Sequence, residues 1–326
     1  MSLDSDAIVD RRRIRRKLTF WRVLAVVVAM AAVVALGLVA APSTRSALSG
    51  AGSIARINIE GLIRSDQARV EALERLGKSN VAAVVVHINS PGGTTSGSEQ
   101  LYESLMRLKA QKPLVVVVEG LAASGGYIAA LASDHIVAQQ SSLVGSIGVL
   151  FQYPNVTELL KTIGVQVESV KSTPLKAAPS GYEPTSPEAR AALDALVKDS
   201  YAWFRDLVRN RRSMDTAQLE KVSDGRVFTG RQAVDLKLID QLGDEKAAVA
   251  WLVATKNVKV DLPVRDYKLT PRFGDLTFLR ATSSLILHAV GLEGLARRVE
   301  QAGVVRAVDQ LGLEGMLALW QPASSN

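Results

Sequence analysis

Apolar residues along this chain fall into a few unbroken runs that are separated by polar and glycine-rich stretches. Val81–Ile88 and Leu114–Val118 are almost wholly apolar, a pattern typical of strands that are buried on both faces of a sheet. Three further segments, Ile54–Ile59, His135–Ala138 and Val165–Val170, also predict strands. The pattern therefore predicts a sheet whose central strands are fully covered.

Two segments show helical periodicity instead. Ser98–Lys109 places Leu101, Leu105 and Leu108 on one face. Pro187–Arg212 predicts a long amphipathic helix with proline near its start, where it is least costly, and with an inward stripe formed by Leu193, Leu196, Val197, Phe204, Leu207 and Val208. Buried strands that alternate with helices predict an α/β domain with mainly parallel strands.

The N-terminal region predicts a membrane anchor. Residues 1–22 hold seven basic side chains against three aspartates, and residues 23–41 contain no charged side chain. As a helix this run would span about 28 Å, close to the hydrocarbon thickness of a bilayer. The basic tail is expected to stay in the cytoplasm while the rest of the chain crosses. A cleaved signal peptide is the alternative, and both place the remainder outside the cytoplasm.

The remaining boundaries follow from composition. Residues 42–52 are rich in small residues and predict a linker. Residues 53–265 form the predicted catalytic domain, and residues 266–326 a C-terminal extension that is helical over Leu285–Leu319. This extension is interpreted as an element for packing, assembly or membrane contact.

Composition excludes several kinds of site. The chain has no cysteine, so thiol nucleophiles, thiolate metal sites and disulfides are absent. It has only three histidines, so that no multi-histidine metal site is expected. No cofactor is expected either. The net charge of +7 is concentrated in the short tail before the apolar run, which favours a membrane over nucleic acid as partner.

Two glycine-rich turns at the ends of the buried strands predict one catalytic site. The segment Gly120–Tyr127 supplies a single serine, Ser124, among small residues, and such a turn exposes a nucleophilic hydroxyl. The segment Asn89–Gly93, after the other buried strand, offers backbone N–H groups to an oxyanion. A serine nucleophile needs a base, and His87 and His135 are both poorly placed by sequence and interpreted as structural. A lysine is the other choice.

Four blocks of sequence resemble the signal peptide peptidase A family of serine proteases, relatives of the Clp protease subunit within the crotonase-like superfamily. Each block alone is weak, but all four in this order behind an N-terminal anchor are specific. The blocks are Ile88–Gly93, Ala122–Tyr127, Val144–Val149 and Gly225–Gly230, the last followed by Ala233 and Leu238–Asp240.

The resemblance implies a role for individual residues. It makes Ser124 the nucleophile and Lys176 the general base, with Ser146 hydrogen-bonding this lysine. The backbone N–H groups of Gly93 and Gly125 match the oxyanion hole. Lys171 is the competing lysine. A lysine acts as a base only when neutral, a state that burial among apolar groups favours.

The resemblance also implies an assembly and a substrate class. Family members of this length form oligomers in which adjacent protomers contribute the serine and the lysine. Their substrates are remnant signal peptides and other membrane-associated or secreted polypeptides, and no metal or nucleotide is required. Two rival functions are a crotonase-type acyl-CoA enzyme, for which an anchor away from cytosolic coenzyme A has no use, and a non-catalytic membrane scaffold, which would tolerate loss of Ser124 or Lys176.

Overall fold

The computed structural model describes residues 21–22, 52–269 and 317–319 of the chain. The chain divides into two compact units, residues 1–50 and 51–326, and every element discussed below belongs to the second. Within the described ranges no helix is long and apolar enough to span a bilayer. The predicted anchor, residues 23–41, lies outside those ranges.

The second unit is built on one sheet with helices around it. Its strands are β1 Ile54–Ile63, β2 Ala83–Thr94, β3 Leu114–Ala123, β4 His135–Ala138, β5 Leu143–Gly145, β6 Val227–Thr229, β7 Gln241–Leu242, β8 Val264–Asp266 and β9 Leu317–Leu319. Its helices are α1 Gln67–Gly77, α2 Thr95–Lys109, α3 Gly125–Ala130, α4 Thr157–Thr162, α5 Pro187–Arg212, α6 Thr216–Val222, α7 Gly230–Asp235 and α8 Glu245–Lys256.

The strand order confirms the predicted α/β class with mainly parallel strands. The main path through the sheet is β6-β5-β3-β2-β1-β8, and only the β5–β6 and β2–β9 pairs are antiparallel. The first half of β3 pairs with β4, and its last three residues pair with β5 instead. The sheet therefore forks along β3, and the fork brings the end of β5 beside the end of β3.

The centre of the sheet is buried on both faces, as the unbroken apolar runs predict. The side chains of Leu114–Val118 in β3 are at most 1% exposed, and those of Val84–Val86 in β2 are fully buried. Helix α8 covers one face through Ala248 and Leu252, while α1 and α2 contribute buried leucines from their apolar stripes. Each fully buried aliphatic side chain stabilises the fold by about 1.5–3 kcal/mol relative to an exposed one.

Three predicted strands are longer in the structure than the apolar runs indicated. Strand β2 does not turn after Ile88 but continues to Thr94, with a register shift between Ile88 and Ser90 and a φ of +103° at Gly92. Strand β1 reaches Ile63 and β3 reaches Ala123. Hydrogen bonding to a neighbouring strand carries the extended backbone into polar and glycine-rich sequence, which apolar periodicity does not detect.

The predicted strand Val165–Val170 is wrong. This segment has no regular secondary structure, and Val165, Val167 and Val170 are exposed. A segment forms a strand only where a neighbouring strand satisfies its backbone N–H and C=O groups, and no described strand pairs with this one.

The long helix α5 has the predicted bounds but not the predicted buried face. Phe204 and Val208, in its C-terminal half, are fully buried, whereas Leu196 is 52% exposed. The helix begins with Ser186, whose side chain accepts a hydrogen bond from the N–H of Ala189, and Pro187 occupies the first turn. Within this unit, the N-terminal half of the helix therefore leaves part of its apolar stripe uncovered.

Two strands lie near or beyond the predicted C-terminal boundary. Strand β8 pairs with β1, so that the boundary predicted between residues 265 and 266 falls within a strand of the sheet. Of the region predicted as helix, Leu285–Leu319, only the last three residues are described, and they form the strand β9.

Glu245, the first residue of helix α8, joins the helix to two strands of the sheet. Its carboxylate accepts hydrogen bonds from Arg56 of β1 at 2.5 and 2.6 Å and lies 2.7 Å from Nε2 of His87 in β2. The bond from Arg56, together with that from His87, outweighs desolvation and holds the pKa of Glu245 below its ordinary value.

We expect Glu245→Gln to lower the free energy of unfolding at pH 7 by roughly 1–3 kcal/mol, the usual effect of losing charge-assisted hydrogen bonds. Since the pKa of Glu245 is lowered by folding, its stabilisation is fully present above the unfolded value of about 4.3 and is lost as the pH falls from there through the lower folded-state pKa. Urea unfolding at pH 7 and at about pH 3 measures the difference. Glu71→Gln, at an exposed 3.7 Å pair with Arg75, is the control, and an equal effect of both variants at pH 7 would contradict the expectation.

Candidate active site

Ser124 occupies the sharp turn between β3 and α3. Its φ of 53° and ψ of −116° lie in a region that costs a residue other than glycine roughly 1–3 kcal/mol. The conformation is held by three hydrogen bonds: the N–H of Ser124 donates to the carbonyl of Gly145 at 2.8 Å, and its own carbonyl accepts from Tyr127 and Ile128. A strained serine between a strand and a helix is the backbone geometry of a nucleophile elbow.

The hydroxyl of Ser124 is buried without a hydrogen-bond partner. The residue is 1% exposed, and Oγ contacts no donor or acceptor in the part of the chain that the structure describes. Leaving a buried hydroxyl unpaired costs about 1–3 kcal/mol, so such atoms are rare and often belong to reactive sites.

Two nearby buried serines differ from Ser124 in this respect. Oγ of Ser90 donates to the carbonyl of Gly61 at 2.6 Å, and Oγ of Ser142 donates to the carbonyls of Val118 and Glu119, both at 2.8 Å. These hydroxyls are committed to the backbone of neighbouring strands. Of the three serines, Ser124 is the one whose oxygen is open to a further partner.

The glycines around Ser124 allow two backbone segments to approach closely. A Cβ atom on Gly126 would lie 2.7 Å from the carbonyl oxygen of Ser90, and one on Gly93 would lie 1.8 Å from the carbonyl oxygen of Ile63. Both positions therefore exclude a side chain. Gly125 follows Ser124 in the first turn of α3, where backbone N–H groups have no acceptor within the helix.

Ser146 lies beside Ser124 because of the fork in the sheet. It follows Gly145, the residue that accepts the backbone hydrogen bond from Ser124, and it is 7% exposed with a φ of 51°. Its own N–H donates to the carbonyl of Arg226 at 2.8 Å. The antiparallel β5–β6 pair thus folds the third and fourth of the sequence blocks against each other next to the serine.

Lys176 is not joined to this group within one chain. It is exposed, in a loop between α4 and α5, where its N–H donates to the carbonyl of Thr173. Because Oγ of Ser124 has no hydrogen-bond partner, the lysine amino group is not bonded to it. The structure therefore brings Ser124, Ser146, Gly93 and Gly125 to neighbouring strand ends, and Lys176 makes no hydrogen bond to Ser124 within the described chain.

The competing lysine, Lys171, is already paired. Its amino group forms an ion pair and hydrogen bond with the carboxylate of Glu183, and the lysine side chain is only 17% exposed. The same hydrogen bond lowers the pKa of Glu183. The amino group of Lys171 is therefore already committed to a carboxylate in this chain.

Both described histidines are structural, as the sequence indicated. The two ring nitrogens of His87 lie 2.8 Å from Glu119 and 2.7 Å from Glu245. The ring of His135 stacks on Trp251 with a centroid distance of 4.5 Å, and its Nε2 lies 3.2 Å from Gln241. Neither histidine contacts the hydroxyl of Ser124, since that oxygen has no partner among the described residues.

Exposed apolar side chains flank Lys176 along the chain, from Phe151 to Leu196. Sequence reasoning missed this surface because it assigned one part of it to a strand and another to a buried helix face. A run of apolar residues without a neighbouring strand or a second helix is the signal that could have revealed it. The exposed residues are Phe151, Leu159, Ile163, Val165, Val167, Val170, Leu175, Tyr182 and Leu196.

The model of peptidase family S49 matches residues 106–259 of this chain. A protein of Synechocystis named as a protease is 35% identical over 210 residues, which are 64% of this chain and 76% of that protein. Protease 4 of Haemophilus influenzae is 30% identical over 66% of this chain, but the match spans only 37% of that protein. The chloroplast serine protease SPPA of Arabidopsis thaliana is 29% identical over 70% of this chain and 35% of its own length.

Solved structures give weaker matches. A mutant of the membrane-bound stomatin-specific protease 1510-N covers 67% of this chain and 98% of that chain, with 14% identity and a TM-score of 0.43. A mutant of ClpP1 from Listeria monocytogenes covers 62% of this chain and 95% of that chain, with 14% identity and a TM-score of 0.40.

Proposed function

Because this chain belongs to peptidase family S49, a family of serine proteases, we propose that it is a membrane-anchored endopeptidase that works with a Ser124–Lys176 dyad. The single observation that carries this proposal is the hydroxyl of Ser124, which is buried, unpaired and held at a strained turn between a strand and a helix. A nucleophile needs an oxygen that is not committed to a structural hydrogen bond, and Ser90 and Ser142 do not meet this requirement.

The chemistry follows from the groups around that hydroxyl. Neutral Lys176 takes the proton of Ser124 as its oxygen attacks a peptide carbonyl carbon. Backbone N–H groups of Gly93 and Gly125 stabilise the oxyanion of the tetrahedral intermediate. Lys176 then gives the proton to the leaving amine, and water hydrolyses the acyl-enzyme by the same steps in reverse order. Ser146 accepts or donates a hydrogen bond at the lysine amino group and so orients it.

The lysine of each site comes from a second copy of the chain. Three observations support this part of the proposal: the hydroxyl of Ser124 is unpaired in a single chain, Lys176 is exposed, and apolar side chains around its loop are uncovered. Contact between two copies would bury that apolar surface and remove Lys176 from water. Burial favours the neutral amine, which is the form that acts as a base.

The proposals for the membrane anchor and for the substrates are based on the sequence alone. Residues 23–41 form a single-pass helix of the cytoplasmic membrane, with the basic tail in the cytoplasm and the catalytic domain on the periplasmic or extracellular side. A site held there meets remnant signal peptides and other membrane-associated or secreted polypeptides. The chain spans little more than a third of the length of Protease 4 and of the chloroplast protease.

Covalent labelling tests the nucleophile. We expect a fluorophosphonate to modify the full chain in detergent at Ser124, because the reagent needs a hydroxyl with a base and an oxyanion site beside it. Peptide mapping by mass spectrometry locates the adduct. Ser141→Ala, at an exposed serine on the neighbouring loop, should label normally. An adduct at another serine would refute Ser124 as the nucleophile. No adduct, together with hydrolysis of a coenzyme A thioester, would favour the crotonase-type alternative.

A further inference from the structure

The strand β9 lies along the edge of β2 that faces the Ser124 turn. Leu317, Ala318 and Leu319 pair antiparallel with Thr94, Gly93 and Gly92. On one edge of β2, the β1 residue Ile63 pairs with Gly93. A strand has two edges. Strand β9 therefore lies on the edge of β2 opposite β1, the same edge that β3 occupies up to Ser90.

The position of β9 along that edge places it next to the nucleophile. Strand β3 pairs with β2 up to Ala122, which lies opposite Ser90, and two residues later the chain turns away at Ser124. Gly92, opposite Leu319, is two residues beyond Ser90, or about 7 Å along the strand. Because β9 runs antiparallel to β2, it approaches from Thr94 and ends at Leu319, on the side nearest the Ser124 turn.

Strand β9 occupies the position at which a protease with this active site would bind its substrate as an extended strand. Proteins commonly bind an extended polypeptide by adding it as a strand to an open sheet edge, where backbone hydrogen bonds supply affinity with little dependence on sequence. The edge at Gly92–Thr94 is open because β3 ends at the catalytic turn, and Gly93 is also one of the proposed oxyanion residues. One edge takes one strand at a time.

We propose that β9 is an internal competitor, a C-terminal segment of the chain that fills the strand site of the substrate. The proposal rests on the proposed function of Ser124 as nucleophile. Substrate binds only to the fraction of molecules in which β9 has left the edge, so the apparent KM is raised by the inverse of that fraction. The rate of the chemical step, once substrate is bound, is not affected. The segment thereby restricts cleavage to polypeptides that bind the edge well or are presented at high local concentration.

Proline substitutions in the full chain test the pairing. Successive N–H groups of a strand point to opposite edges, so either Ala318→Pro or Leu319→Pro must remove a donor directed at β2. With a fluorogenic apolar peptide as substrate, we expect at least one of them to lower KM about fivefold, the effect of one net backbone hydrogen bond, with kcat unchanged. Ala323→Pro, outside β9, is the matched control, and intact mass verifies that each preparation retains its C-terminus.

A synthetic peptide of residues 314–322 supplies the second measurement. It should raise KM of the proline variants without changing kcat, as a competitor for the edge does. Equal KM in wild type and all three variants, together with no inhibition by the peptide, would overturn the proposal.

A binding measurement distinguishes a failure of this proposal from a failure of the proposed function. If no preparation cleaves peptides or labels at Ser124, the proposed function fails, but the fluorescent 314–322 peptide still reports on the edge. Fluorescence anisotropy should then show tighter binding to the variant that lowers β9 pairing than to wild type. Equal binding to all preparations would exclude β9 as a competitor.

Discussion

Ser124→Ala is expected to lower peptidase activity by on the order of 10⁴-fold or more, the scale of loss when a serine nucleophile is removed, while the fold is retained or made more stable. The hydroxyl is buried without a hydrogen-bond partner, so its removal abolishes an unpaired polar group and breaks no contact. Activity against a fluorogenic peptide and the melting temperature, measured on the same preparation, check both parts of this expectation.

Ser90→Ala is the matched control for stability. Its hydroxyl is also buried, but it donates to the carbonyl of Gly61 and accepts from the N–H of Gly92. Its loss should lower the free energy of unfolding by roughly 1–3 kcal/mol. If Ser124→Ala retained most of the activity, or lowered the melting temperature as Ser90→Ala does, Ser124 would be a structural serine.

Mixing two inactive variants is expected to restore activity. Lys176→Ala should abolish cleavage because it removes the proposed general base, and no described group of the same chain hydrogen-bonds the hydroxyl of Ser124 in its place. In a site made by two copies, subunits of Ser124→Ala and Lys176→Ala that exchange at equal amounts form about a quarter of their sites with both groups intact. The measurement is peptidase activity after exchange, with mixed oligomers verified by native mass spectrometry.

Two controls make this result specific. Mixing Ser124→Ala with the double variant Ser124→Ala and Lys176→Ala cannot create an intact site in any arrangement and should stay inactive. Lys171→Ala should remain active, because the amino group of Lys171 is held by Glu183. Exchange without recovered activity would place the dyad within one chain, and loss of activity in Lys171→Ala alone would make Lys171 the base.

The central elements could be predicted from sequence because their patterns are local. Leu114–Val118 forms the buried half of β3, and the helix Pro187–Arg212 has the predicted bounds. The same reasoning failed for Val165–Val170, which carries three valines among polar residues but has no partner strand in the described chain. A strand's hydrogen bonds are made with residues distant in sequence, and apolar periodicity carries no information on whether they are available.

The candidate active site could likewise be predicted only in part from the sequence. The small residues around Ser124 and Gly93 were evident in the sequence, since a tight turn and a close backbone approach require them. The sequence did not show that these residues lie close together, that the hydroxyl is unpaired, or where Ser146 lies. These features depend on the fork at β3, which pairs first with β4 and then with β5. The pairing of β9 with β2 was also beyond prediction, because the sequence around Leu317–Leu319 continues a helical pattern.

The sequence by itself determined the class of fold, the family and the residue types available for catalysis, because burial patterns and short motifs are properties of neighbouring residues. Only the tertiary structure decided that the hydroxyl of Ser124 has no hydrogen-bond partner in the described chain, that Lys171 is paired with Glu183, and that β9 pairs with β2 at Gly92–Thr94. Each of these depends on contacts between segments far apart in the chain, which form only when the sheet closes around its core.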